Sequence, residues 1–203
     1  MRIILKGAFL AIFSSLFLLQ IAVNAQDGTI HDLRNNSSNK NTNKEIEFPE
    51  IDGWEKGAIR KYPQAELGYS IAYQSSDGGV VSIYVYNGGL TKIPNGVNDP
   101  IIEDEIRRAK NEIFQVGKAG YYDNVKEVKN DTITLGGESG KVKALYSLFN
   151  FTARGQDMDS EIYLFGYQNN FIKIRATRPK AKNNSPNEAL NSLLKKIDKL
   201  FAS

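Results

Sequence analysis

Cysteine is absent from this 203-residue chain, and histidine occurs once, as His31. The first absence excludes disulfides, thiolate nucleophiles, iron–sulfur clusters and cysteine zinc sites. The second excludes a multi-histidine metal centre and leaves no serine of the folded part with a histidine base. Charge of one sign is scarce as well: 26 Lys and Arg against 23 Asp and Glu give +3. So slight a basic balance does not point to nucleic acid. No G-x-S-x-G elbow occurs. The glycine-rich Leu135-Gly136-Gly137-Glu138-Ser139-Gly140-Lys141 misses the phosphate-loop pattern, because only three residues separate Gly136 from Gly140 and Val142 follows the lysine. It reads as a tight reversal between strands. No catalytic signature is left, so neither enzymatic activity nor a cofactor is expected.

An address is present. Arg2 and Lys6 lead into the apolar stretch Gly7–Leu19, and Val23-Asn24-Ala25 puts small residues at −3 and −1 of a cleavage after Ala25. That is the pattern of a secretory signal peptide over residues 1–25, and it predicts a secreted or periplasmic protein. The uncharged run Gly7–Ala25 approaches spanning length, but the small-residue site favours its removal and hence no stable membrane span. Removal takes away Arg2 and Lys6 and lowers the net charge by two. Asn35–Asn43 reads NNSSNKNTN, without an apolar residue. Such a stretch cannot offset its ordering entropy, which makes residues 26–47 a flexible asparagine-rich tail, with His31 solvated in it. Residues 48–203 are expected to form one domain.

Within that domain the hydrophobic period alternates between two kinds. Asp99-Pro100 can cap and open a helix whose stripe is Ile102, Ile106, Ala109, Ile113 and Val116, ending at Gly117. Ser185-Pro186-Asn187-Glu188 resembles a capping box, followed by Leu190, Leu193, Leu194, Ile197, Leu200 and Phe201. Elsewhere the period is two, and the expected strands are Ala58–Tyr62, Tyr69–Gln74, Val80–Tyr86, Val125–Leu135, Lys141–Ala153, Ser160–Tyr167 and Phe171–Thr177. Asp77-Gly78-Gly79 and Asn169-Asn170 suit hairpin turns. Val80–Tyr86 is apolar on both faces, as a central strand covered on both sides is. Consecutive hairpins plus two helices predict an α+β domain, a mainly antiparallel sheet with helices packed on its faces.

That order of elements resembles the PsbP-like fold shared with the Ran-binding Mog proteins. The pieces that carry the likeness are Gly68-Tyr69-Ser70-Ile71-Ala72-Tyr73 near the domain start, and strand Phe171–Thr177 running through a polar loop into a helix that closes on Leu200-Phe201. The likeness spans roughly Trp54 to Phe201. It implies an α/β/α sandwich and non-enzymatic work: stabilising a larger complex or binding a protein partner.

The remaining candidates are surfaces. Lys173, Arg175, Arg178, Lys180 and Lys182 crowd the last strand and its loop, where they could meet an acidic partner, or anionic lipid. Tyr121 and Tyr122 follow Gly120 after the first helix, while Tyr84, Tyr86, Tyr163 and Tyr167 add aromatic area for packing or a ligand cleft. Together these predict contact with a protein of the cell envelope through Lys173, Arg175, Arg178, Tyr121 and Tyr122. The alternative is a small molecule in a tyrosine-lined cleft between helix and sheet. Asp157, Asp159 and Glu161 alternate like the start of a calcium loop, but Ile162 stands where that loop needs glycine, so a polar turn is the expectation. Glu103, Asp104 and Glu105 are expected to face solvent, with Glu103–Arg107 and Asp104–Arg108 as ion pairs.

Overall fold

Turn chemistry decides how this chain folds back on itself. In the hairpin of Tyr69–Ser75 (β3) with Val80–Tyr86 (β4), Gly78 takes φ +90°, which a side chain disfavours. Gln156–Tyr167 (β7) turns into Asn170–Pro179 (β8) through Gln168 and Asn169, at φ +46° and +61°. The turn therefore sits one residue earlier than Asn169-Asn170. The computed structural model describes residues 46–180 and 187–202. The signal peptide, most of the asparagine-rich tail, His31, Lys182 and Ser185 lie outside the described residues.

Eight strands form one antiparallel sheet in the order β1-β3-β4-β8-β7-β6-β5, with β2 also paired to β3. Here β1 is Trp54–Lys56, β2 Arg60–Lys61, β5 Asp123–Thr134 and β6 Lys143–Ala153. With the two α-helices among the described residues this is an α+β fold, and β4 is a central strand. The strand expected at Ala58–Tyr62 is shorter, only Arg60–Lys61, and a further short strand, β1, precedes it. Residues 57–59 separate β1 from β2, with the Gly57 N–H bonded to the Ala72 carbonyl at 2.8 Å.

Register sorts the side chains into two faces. Val81, Ile83 and Val85 pair with Ala176, Ile174 and Ile172 on one face. There they bury against the C-terminal helix Glu188–Phe201 (α2) and the strap residues Phe48, Ile51 and Trp54. Burying each such side chain is worth about 1.5–3 kcal/mol. Phe201 meets Phe165 edge-on at 5.3 Å, and Trp54 Nε1 donates to the Ala189 carbonyl at 3.1 Å. The opposite face carries Tyr84, Tyr86, Phe149 and Lys173 beneath the helix Pro100–Lys118 (α1). Among the described residues no helix is long and apolar enough to cross a membrane.

Both helix starts follow from sequence, but two details are corrected. Asp99 accepts from Ile101 N at 2.9 Å, with Pro100 at the first helical position. The cap of α2 is Asn187, whose Oδ1 accepts from Leu190 N at 2.8 Å, so Glu188 is the first helical residue rather than the far member of a capping box. Gly117 does not end α1. It lies inside the helix, where an added Cβ would come within 2.7 Å of Val125 Cγ2. The chain leaves the helix at Gly120, with φ +79°.

Candidate ligand cleft

Lys173 and Arg175 point from β8 toward α1, whereas Arg178 points to the opposite face. The expected exposed basic surface is therefore split, and Lys173 is not on it at all. Lys173 is only 4% exposed. Its Nζ lies 3.3 Å from Glu112 Oε2 and 5.2 and 5.6 Å from the ring centroids of Tyr84 and Tyr86. Burial pulls its pKa down, against the opposing charge of Glu112. Next to this pair the buried Glu105 accepts from the Tyr86 hydroxyl and from Arg108 Nε at 2.8 Å, and Arg108 Nη1 reaches Glu112 at 3.1 Å. Two carboxylates and two cations neutralise one another beneath α1.

Glu103 and Asp104 face solvent as expected, but Glu105 is buried, which corrects the reading of that residue as part of a solvated face. The observed pairs are Arg107–Asp104, Arg108–Glu105 and Arg108–Glu112. Glu105 lies three residues from Ile102 and four from Ala109, so it shares the apolar stripe. That spacing is a sequence signal for a buried acid, and the basic residues of β8 are its complement.

Arg175 and Tyr122 do come together. Arg175 Nε donates to Ser160 Oγ at 3.2 Å, and the Tyr122 hydroxyl hydrogen-bonds the same guanidinium. The Tyr122 ring stacks on Phe151 at 4.1 Å and 16°. Burial raises its pKa while Arg175 holds it back. Tyr121 is 57% exposed and stands apart from that stack.

The carboxylates of β7 line up on the other face, with the Arg178 guanidinium among them. Glu161 accepts from Arg178 Nη1 and from the Tyr163 hydroxyl, and its charge acts on Tyr146 as well. Asp159 takes Asn150 Nδ2 at 2.7 Å and lies 3.6 Å from Arg178 Nη2; Asp157 takes the Thr152 hydroxyl at 3.0 Å. The segment is strand rather than polar turn, because β7 begins at Gln156, four residues earlier than expected. Among the described residues no three His, Cys, Asp or Glu side chains are placed to hold a metal ion.

Glu161 is also the floor of an open cleft of about 430 Å³ between the sheet, the β5–β6 turn and α2. Tyr146 and Tyr163 form its back, rings 5.2 Å apart and tilted by 51°. Ile133 and Leu194 supply apolar walls, and Lys129, Glu138 and Asn191 stand at the rim. Burial, then the charge of Glu161, pushes both tyrosine pKa values up. Asp198 of α2 fixes the mouth: its Oδ1 accepts from Lys141 N at 2.9 Å and Val142 N at 2.8 Å, tying helix to turn. Sequence reasoning named Glu161 and Tyr163 separately and missed Tyr146, Lys129 and Asp198. The signal available was parity, since Tyr146, Tyr163 and Glu161 share a face once β6 and β7 pair.

No family model and no curated protein matches the chain. Among solved structures, CalU16 from Micromonospora echinospora is similar over 73% of this chain and 85% of that one, at 11% identity and a TM-score of 0.25. A superposition that loose sets neither fold nor activity.

Proposed function

We propose that this is an exported, non-enzymatic binding protein whose site is the cleft between α2 and the sheet. The observation that carries the reading is a Glu161 carboxylate, 9% exposed in its side chain, at the base of a 430 Å³ cleft backed by two tyrosines. Small-molecule sites combine such a volume with apolar walls and a few convergent polar groups. The basic strand end supports a partner contact less well, since Lys173 is interior and Arg178 is committed to Glu161 and Asp159. Export rests on the positive start, apolar run and small-residue site of residues 1–25. The order of strands and helices is consistent with a PsbP-like sandwich, a family of non-catalytic proteins.

A second reading, contact with an envelope protein, is favoured by one observation. Tyr121 exposes more than half of its surface in the connection after α1. Native mass spectrometry of the protein gently isolated from its own source separates the two. Non-covalent mass of a few hundred daltons, lost in Asn191→Trp, is expected for the cleft; Asn191 is exposed on α2, so the indole blocks the mouth without entering the core. Polypeptide mass retained in that variant and lost in Tyr121→Ala sinks the cleft reading. The same spectrum shows whether the chain starts at Gln26, and one still starting at Met1 removes export.

A further inference from the structure

The cleft floor is one-sided in its hydrogen bonding. An ionised carboxylate only accepts, at about four lone-pair sites. Glu161 already receives Arg178 Nη1 and the Tyr163 hydroxyl, which leaves acceptor sites but no proton for a ligand. The Tyr163 proton is spent on Glu161, so toward the cleft its oxygen also accepts. A ligand reaching this floor must therefore bring a donor. A carboxylate or phosphate brings acceptors and negative charge to a buried carboxylate, which costs rather than stabilises.

An independent observation says which donor. Lys129, on the rim, holds its Nζ 5.7 Å from the centroid of the Tyr146 ring. The chain's own ammonium thus occupies the cation–π position at the cleft. Its hold is weak: Lys129 is 55% exposed, and its other partner, Asp131, is 3.6 Å away and half exposed. A bound ammonium can displace it at little cost, and the Ile133 and Leu194 walls then cover an apolar body.

Resting on the cleft reading, we propose that the ligand class is a primary amine on an aromatic or apolar body, with its ammonium donating to Glu161 beside the Tyr146 ring. An isosteric trio tests this: 2-phenylethylamine, 2-phenylethanol and phenylacetate, titrated into the full mature chain by ligand-observed NMR. The amine is expected to bind about tenfold more tightly than the alcohol, as a charge-assisted bond does relative to a neutral one, with the acid weaker still. Glu161→Gln should bring the amine to the level of the alcohol. Lys129→Ala, on an exposed side chain that leaves the fold alone, should tighten the amine several-fold and leave the alcohol unchanged. Acid or alcohol binding as well as the amine, with all binding lost in Asn191→Trp, overturns the amine class and leaves the cleft reading standing. Binding of none of the three overturns both. Should Glu161→Gln not fold, the Lys129→Ala series decides alone: equal amine affinity in that variant and the parent chain overturns the proposal.

Discussion

Lys173 shows how one residue's surroundings override its type. Alternation along β8 places it on the face opposite Ile172 and Ile174, where a lysine is ordinarily expected in solvent. Taking an ammonium out of water is costly, and it persists inside only when paired. Here Glu112 pairs it, and the faces of Tyr84 and Tyr86 flank it. Lys173→Met should therefore destabilise the fold by about 3 kcal/mol, because Glu112 loses a buried partner. Adding Glu112→Leu should restore more than 1 kcal/mol of that loss, as coupled sites do. Urea melts of both single variants and the double variant measure the cycle, and strictly additive costs would show that the two side chains do not share an interaction. Arg178 belongs to the same category: charge reversal there unpairs Glu161 and acts on stability before it acts on any partner.

At the scale of elements, the starts were more legible than the ends. A helix start is written locally, in a side chain that accepts a backbone N–H, as Asp99 and Asn187 do. The end of α1 depends on a distant contact. Gly117 looked like a stop, yet it is a helical residue kept small by Val125 of β5. Gly to Ala inside a helix ordinarily gains roughly 0.5–1 kcal/mol. Gly117→Ala should instead cost about 1–2 kcal/mol through overpacking, and Val125→Ala in the same chain should relieve it. Thermal melts decide the sign; a raised midpoint in the single variant would falsify the close approach. The early start of β7 was missed for a related reason. Asp157 and Asp159 looked like turn residues because Asn150, Thr152 and Arg178, which satisfy them, come from neighbouring strands.

At the scale of the whole molecule, the class of fold was legible and the site was not. Period-two segments, their turns and two amphipathic stripes suffice for an α+β sheet, whereas the cleft needs the pairing of β6 with β7 and the seating of α2. One global property follows from how many tyrosine hydroxyls the fold buries. Burial pushes Tyr73 and Tyr84 up to about 12 and raises Tyr86, Tyr122, Tyr146 and Tyr163 as well. In the unfolded chain tyrosines ionise near pH 10. Above that pH the unfolded state has released protons that the folded state retains, so stability falls as pH rises from 10 toward 12. Lys173 works the other way: its depressed folded pKa makes stability rise as pH climbs toward its unfolded value of 10.5, but it is one group against six. The urea midpoint should drop clearly between pH 9 and pH 11.5, and a flat profile would mean that these hydroxyls are solvated.

The bond from Trp54 to the Ala189 carbonyl has a practical side. Trp54 is the chain's one tryptophan, and its partner is 135 residues away. Its emission therefore reports on a single event, the meeting of the first strand with the start of the last helix. The cleft lies further along that helix, where Asn191 and Leu194 face Tyr146 and Tyr163 of the sheet. The molecule thus carries a built-in optical gauge of closure, whose colour reads whether the two distant stretches of chain are joined.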